Sequence, residues 1–212
     1  MGFVNLADHL FKSKDIPADT DVIFVADLFS PDYQGGAELT TEAILGSSPL
    51  NVYRIKSRDV TMEILEKGHQ KFWIFGNYAD LDFNLVPSIC ANLQYAIIEY
   101  DYKYCKYRSP EKHLDIEKQN CNCNNDTRGK MVSAFMYGAK SLWWMSERQM
   151  EHYLKLFPFL KEKSSTVLSS VFDDATFASI KILNQRNVNV PRKGWIVMGS
   201  PSWIKGTAEA EE

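Results

Sequence analysis

The sequence predicts an α/β fold, a Rossmann-like parallel sheet with helices on both faces. Apolar runs of strand length recur, and several are continuous rather than alternating, as strands covered on both faces require. Between them lie segments whose apolar residues are three and four positions apart, the helical spacing. The two kinds of segment alternate without an internal repeat, which implies right-handed strand–helix–strand crossovers.

The elements follow in order. Phe3, Leu6, Ala7, Leu10 and Phe11 share one face of a short amphipathic helix. The run from Asp21 to Phe29 is the first buried strand, and Ala37 to Leu45 is a helix. Leu50 to Ile55 and Lys71 to Phe75 are strands, with a helix between them over Val60 to Lys67. A helix over Leu85 to Leu93 leads to the fourth strand, Gln94 to Tyr100. The stretch from Asp101 to Arg128 is polar and irregular, except for a short helix from Pro110 to Lys118 that Ser109 caps. Gly129 to Ala139 is a small-residue helix and Ser141 to Met145 the fifth strand. Ser146 then opens a helix to Leu156, with Gln149 three residues later completing a capping box. Thr166 to Phe172 reads as the sixth strand, Asp174 to Asn187 as a helix, and Gly194 to Gly199 as a seventh strand. Residues 1–190 therefore read as one Rossmann-like domain. Residues 191–212 read as a linker and the first strand of a second domain.

Composition narrows the function. The net charge of -3 over 212 residues argues against a nucleic-acid partner, which requires a basic face. No apolar run reaches the roughly 18 residues of a membrane span. The N-terminus lacks the basic and apolar regions of a secretory signal. Four cysteines are too few for a disulfide scaffold, so a cytoplasmic, reducing location is expected.

Chemistry concentrates after the strands. Gly35 and Gly36 follow the first strand and open a helix, whose free N–H groups attract phosphate. The pair is neither a dinucleotide fingerprint nor a Walker loop, and a simple tight turn is the alternative. Glu99, Tyr100, Asp101 and Tyr102, at the end of the fourth strand, are binding-site candidates because ligands of open α/β sheets bind there, and the alternative for all four is a solvated strand end. Asn77, after the third strand, is a further binding candidate, or else an asparagine tolerating left-handed backbone. Asp80 and Asp82 superficially resemble a metal-binding D-x-D pair but read better as a polar loop. Cys105, His113, Cys121 and Cys123 form a chemically sensible tetrahedral zinc set, although C-x7-H-x7-C-x-C fits no standard finger. Reduced cysteines in a loop are the alternative. Lys103, Lys106, Arg108 and Lys112 form a basic group able to attract an anionic acceptor or phosphate, but read better as solvated charge.

The stretch Asp27-Leu28-Phe29-Ser30-Pro31-Asp32-Tyr33-Gln34-Gly35-Gly36-Ala37-Glu38 resembles the opening of glycosyltransferases of the two-Rossmann-domain (GT-B) type. The resemblance is to the large retaining family that contains sucrose synthases and many lipopolysaccharide and capsule enzymes, including bacteriophage-encoded members. Leu142 to Gln149 is similar to that family's strand and "S-E" helix start, and Val167 to Asp173 to a strand entering the interdomain cleft. Trp195 to Gly199, continuing to Lys205-Gly206, is similar to the start of the nucleotide-binding domain. The resemblance implies transfer of a hexose from a nucleotide-diphosphate sugar to a sugar or other hydroxyl acceptor. Gly35, Gly36 and Lys205 would hold the diphosphate, Asn77 and Tyr102 would line the donor site, and Asp101 and Glu99 would hold the transferred sugar. No divalent metal is required for catalysis in such enzymes. Ser200-Pro201-Ser202 stands where relatives carry an arginine, and the paired glutamates of the second domain are absent. The expectation is an N-terminal half, inactive alone and awaiting a C-terminal partner domain. A non-catalytic α/β module that binds a sugar or nucleotide is the rival.

Overall fold

In the computed structural model, residues 15–186 and 191 are described. The expected helix at 3–11, the seventh strand at 194–199 and Lys205 lie outside them. Six strands are described: β1 (Val22–Ala26), β2 (Val52–Lys56), β3 (Phe72–Phe75), β4 (Gln94–Glu99), β5 (Ser141–Trp144) and β6 (Ser164–Val167). The described α-helices are α1 (Gly36–Ser47), α2 (Met62–Lys67), α3 (Val86–Asn92), α4 (Pro110–Glu117), α5 (Thr127–Gly138), α6 (Glu147–Leu156) and α7 (Asp174–Arg186). No described helix is long and apolar enough to cross a membrane.

All strands pair in parallel, in the order β2-β1-β3-β4-β5-β6. The chain thus steps one way from β1 to β2 and the other way at every later crossover. Right-handed crossovers place helices from opposite steps on opposite faces of the sheet. The packing agrees. Leu45 and Ile44 of α1 meet Phe24, Ala26 and Ile98 on one face. Residues of α2, α3, α5 and α6 meet Ile23, Val25, Trp73, Phe75, Tyr95, Ile97 and Trp144 on the other. The two faces are covered unevenly, and Ile74 and Trp143 on the α1 side stay only partly buried. β1 lies between two strands and two layers, so all five of its residues are buried, which its unbroken apolar run foretold.

The heavily covered face is aromatic. Phe135 of α5 sits 5.0 Å from Phe75, 5.2 Å from Tyr78 and 5.1 Å from Tyr95. Local caps follow the sequence: Thr61, Ser109 and Ser146 accept from the backbone N–H of Ile64, Lys112 and Gln149.

The sixth strand differs from expectation. It spans Ser164–Val167, and every residue of it is exposed. Its partner β5 ends at Trp144, which pairs with Val167, and α6 begins three residues later. The ladder therefore ends there, and Ser169 turns the chain away with a left-handed φ of 63°.

α5 approaches the segment before it very closely. A Cβ at Gly129 would overlap the Cys123 carbonyl oxygen, whereas one at Gly36 would meet open space. Gly129→Ala should therefore destabilise the fold by about 1–3 kcal/mol, the usual range for overpacking. Gly36→Ala, in the first turn of α1, should be neutral or stabilising by up to about 1 kcal/mol through helix propensity. Urea unfolding of the two variants checks both.

Candidate functional site

Strand order turns back at β1, with β2 on one side and β3 on the other. Loops leaving such neighbours diverge and open a crevice at the carboxyl ends of the strands, where ligands of open α/β sheets bind. Asp27 follows β1, Ser57 follows β2, Asn77 and Tyr78 follow β3, and Asp101 follows β4.

These residues form one hydrogen-bonded array. Asp27 is buried and accepts from Ser57 Oγ and from the backbone N–H of Ala79 and Asp80, each of the latter at 3.1 Å. Arg108 grips Asp101 Oδ2 through Nε (2.6 Å) and Nη2, and Nη2 also donates to Asn77 Oδ1 at 3.0 Å. Its Nη1 lies 3.9 Å from Asp27 Oδ2. The Arg108 side chain keeps 39% of its surface exposed even though its guanidinium is held by three neighbours.

Beneath it lies Lys103, fully buried. Its Nζ is 3.0 Å from Asp101 Oδ1, 3.8 Å from Glu99 Oε1 and 4.9 Å from the centre of the Tyr78 ring. Glu99 is also enclosed, and accepts from Tyr78 OH (2.8 Å), Tyr153 OH (3.0 Å) and Lys103 N–H (3.0 Å). Gln149 of α6 donates to the Asp101 carbonyl and accepts from Met145 N–H, tying in the end of β5. Burial raises the Glu99 carboxyl above its ordinary value, outweighing the attraction of Lys103. Burial also works against charge on Asp101, but Lys103 and Arg108 outweigh it and hold that carboxyl below its ordinary value. Burial likewise lifts the Tyr78 and Tyr153 hydroxyls far above their usual range, so both remain donors to Glu99.

The sequence candidates are distributed across this edge. Asp101 and Asn77 stand together on Arg108. Asn77 is not among the described residues with positive φ, so its side-chain bond, not a left-handed backbone, accounts for its place. Glu99 faces inward. Tyr102 stacks on Tyr153 at 6.1 Å and touches His152, while the Tyr100 hydroxyl bonds Thr41 of α1 at 2.9 Å. Gly36 begins α1 beside open space, but the free face of Gly35 is filled by Tyr33 and by Glu38 Oε2. Asp82 caps a short 3-10 turn by accepting from Asn84 N–H. The expectation that Lys103 is solvated is overturned: the side chain is enclosed between two carboxylates and an aromatic face. Asp27 escaped the sequence reading, for it looks like the polar end of an apolar strand.

A second cluster lies nearby. The ligating atoms of Cys105, His113, Cys121 and Cys123 all fall within 4.8 Å of one another, an arrangement compatible with a structural metal. His113 Nδ1 is 3.8 Å from Cys105 Sγ and 3.4 Å from Cys123 Sγ. Burial pushes the Cys121 thiol up to about 12. A surface cleft of about 460 Å³ between α2 and α3, lined by Met62, Leu65, Glu66, His69 and Asn92, lies at the opposite edge of the sheet and gathers no comparable array.

The chain matches no family model, no curated protein and no solved structure.

Removing Lys103 as Lys103→Met leaves two carboxylates without their shared cation. At neutral pH the loss should be about 3–5 kcal/mol, the range for breaking a buried pair. The loss should shrink in acid, as Glu99 and Asp101 protonate. In the parent protein the two groups act in opposite senses. The lowered Asp101 contributes stability above its ordinary 3.8 and loses it as pH falls through the folded-state value. The raised Glu99 favours folding below its ordinary 4.5, and that contribution fades as pH rises through its folded-state value. Urea unfolding of parent and variant between acid and neutral pH checks the sign and the convergence.

Proposed function

We propose that the chain is the N-terminal, acceptor-side lobe of a retaining GT-B-type glycosyltransferase, which moves a hexose from a nucleotide-diphosphate sugar to a sugar or other hydroxyl acceptor. The observation that carries this reading is the array of planar polar groups at the switch-point crevice. Asp27, Asn77, Asp101 and Arg108 are locked by one another, and the Arg108 side chain stays partly exposed. The two carboxylates among them outnumber the one guanidinium, so the array holds no surplus positive charge, which suits the neutral hydroxyls of a sugar better than a free anion. Fixed side chains bind such groups without first losing rotamer freedom.

The donor diphosphate is assigned to the start of α1, where Gly36 leaves the backbone open. The Tyr100–Thr41 bond ties α1 to the end of β4, so both regions belong to one edge. A second lobe carrying the nucleotide site would complete the pocket. The exposed Phe177 and Ile180 of α7 offer apolar surface for such a neighbour.

One observation favours a sugar-binding module without catalysis. The Glu38 carboxylate, lying against Gly35, places negative charge where a diphosphate would approach.

The test joins this chain to a nucleotide-binding lobe and measures hexose transfer from a panel of nucleotide-diphosphate sugars. Arg108→Ala should lower transfer at least about tenfold, equivalent to ~1.4 kcal/mol. Lys106→Ala, at an exposed lysine paired with Glu117, should leave it unchanged. In parallel, acceptor sugars titrated into the 212-residue chain should shift NMR signals of Asn77, Asp101 and Arg108. Sugar binding with no transfer would favour the module. No shift at the crevice and no transfer would overturn both readings.

A further inference from the structure

We propose that Cys105, His113, Cys121 and Cys123 bind one Zn²⁺ ion, which staples the segment between β4 and α5 and thereby fixes Arg108 at the crevice. The cluster carries this proposal whatever ligand the crevice takes.

Three thiolates and an imidazole are a donor set that zinc favours in closed, four-coordinate structural sites. With Zn–S near 2.3 Å and Zn–N near 2.0–2.1 Å, tetrahedral ligands stand about 3.4–3.8 Å apart. The Cys105–His113 and Cys123–His113 separations of 3.8 and 3.4 Å already have that size. Cys105, His113 and Cys123 are buried and Cys121 is partly exposed, so the site is enclosed with one accessible side.

The surroundings leave a gap in stability that the metal fills. α4 buries only His113, while its apolar residues Leu114 and Ile116 are exposed. Hydrophobic burial therefore does not hold this helix in place. A polar segment of this length, inside a compact domain, needs some other anchor. The four ligands converge from three separate pieces of backbone. Cys105 belongs to a turn closed by Tyr102 and Arg108, and accepts at its carbonyl from Arg108 N–H (2.9 Å). His113 lies in the first half of α4. Cys121 and Cys123 lead into the 3-10 turn against which α5 packs.

Arg108 stands between two of the ligands. Its φ of 58° is left-handed, a conformation that persists for a bulky side chain only when its surroundings impose it. Ligands at 105 and 113 would clamp this residue from both sides.

Metal analysis of the full chain, purified under reducing conditions from zinc-supplemented cells, should give about one zinc per chain. X-ray absorption should show three sulfur and one nitrogen neighbour at about 2.3 and 2.0–2.1 Å. Cobalt exchange should produce thiolate charge-transfer and tetrahedral ligand-field bands. Cys123→Ser and Cys121→Ser should lose the metal, and Cys90→Ser should keep it. Should the ligand variants fail to fold, the absorption data on the parent protein still decide the matter. Chelation should abolish amide protection across residues 101–126 while β1 and β3 stay protected. A chain without zinc, a zinc without sulfur ligands, or alkylation mapping that finds a disulfide among these cysteines would overturn the site. Retained protection after chelation would overturn the staple.

Discussion

A single buried ammonium group organises the edge of the sheet on which everything else depends. Lys103 Nζ lies between Asp101 and Glu99, and neither carboxylate would tolerate enclosure without it. From this point the bonds run outward in both directions. One branch passes through Asp101 to Arg108, Asn77 and Asp27, and reaches Ser57 after β2. The other passes through Glu99 to Tyr78 and Tyr153, while Gln149 secures Met145 after β5. The carboxyl ends of five strands are thereby joined through side chains, in addition to the backbone ladder. A partly satisfied network of this kind would destabilise the fold; a closed one makes the crevice rigid.

The division of labour between the two carboxylates follows from depth. Glu99 is enclosed and takes its hydrogen bonds from protein groups, so it positions its neighbours. Asp101 is held by two cations at the rim, one of them the partly exposed Arg108. The same short segment thus builds the wall of the crevice and, a few residues later, the Cys/His cluster. The β4–α5 connection adds charge and thiol chemistry to the aromatic packing that Tyr102 and Tyr104 make with Tyr153 of α6.

Much of the fold could be read from the chain because its signals are local or periodic. The unbroken run of Val22 to Ala26 announced a strand buried on both sides, and Ser109 and Ser146 announced helix starts. The sixth strand was harder: Thr166 to Phe172 suggested a strand, but pairing stops where β5 stops. The Cys/His set was visible as chemistry, because four ligand types in one short stretch need no tertiary knowledge to be noticed. Lys103 and Asp27 were not legible. A lysine in a run of charges looks solvated, and only the fold brings Glu99, Asp101 and Tyr78 around it. Arg108 likewise becomes a site residue only when the ends of β1 and β3 are brought beside it.

The most direct test follows the two carboxyl groups by carbon NMR of the side chains through an acid titration of the intact protein. Asp101 should titrate below its ordinary 3.8, because Lys103 and Arg108 outweigh its burial, and Glu99 above its ordinary 4.5, because burial outweighs the attraction of Lys103. Two carboxyls titrating together at ordinary values would show that Lys103 does not bind them, and the rigid crevice would have no foundation.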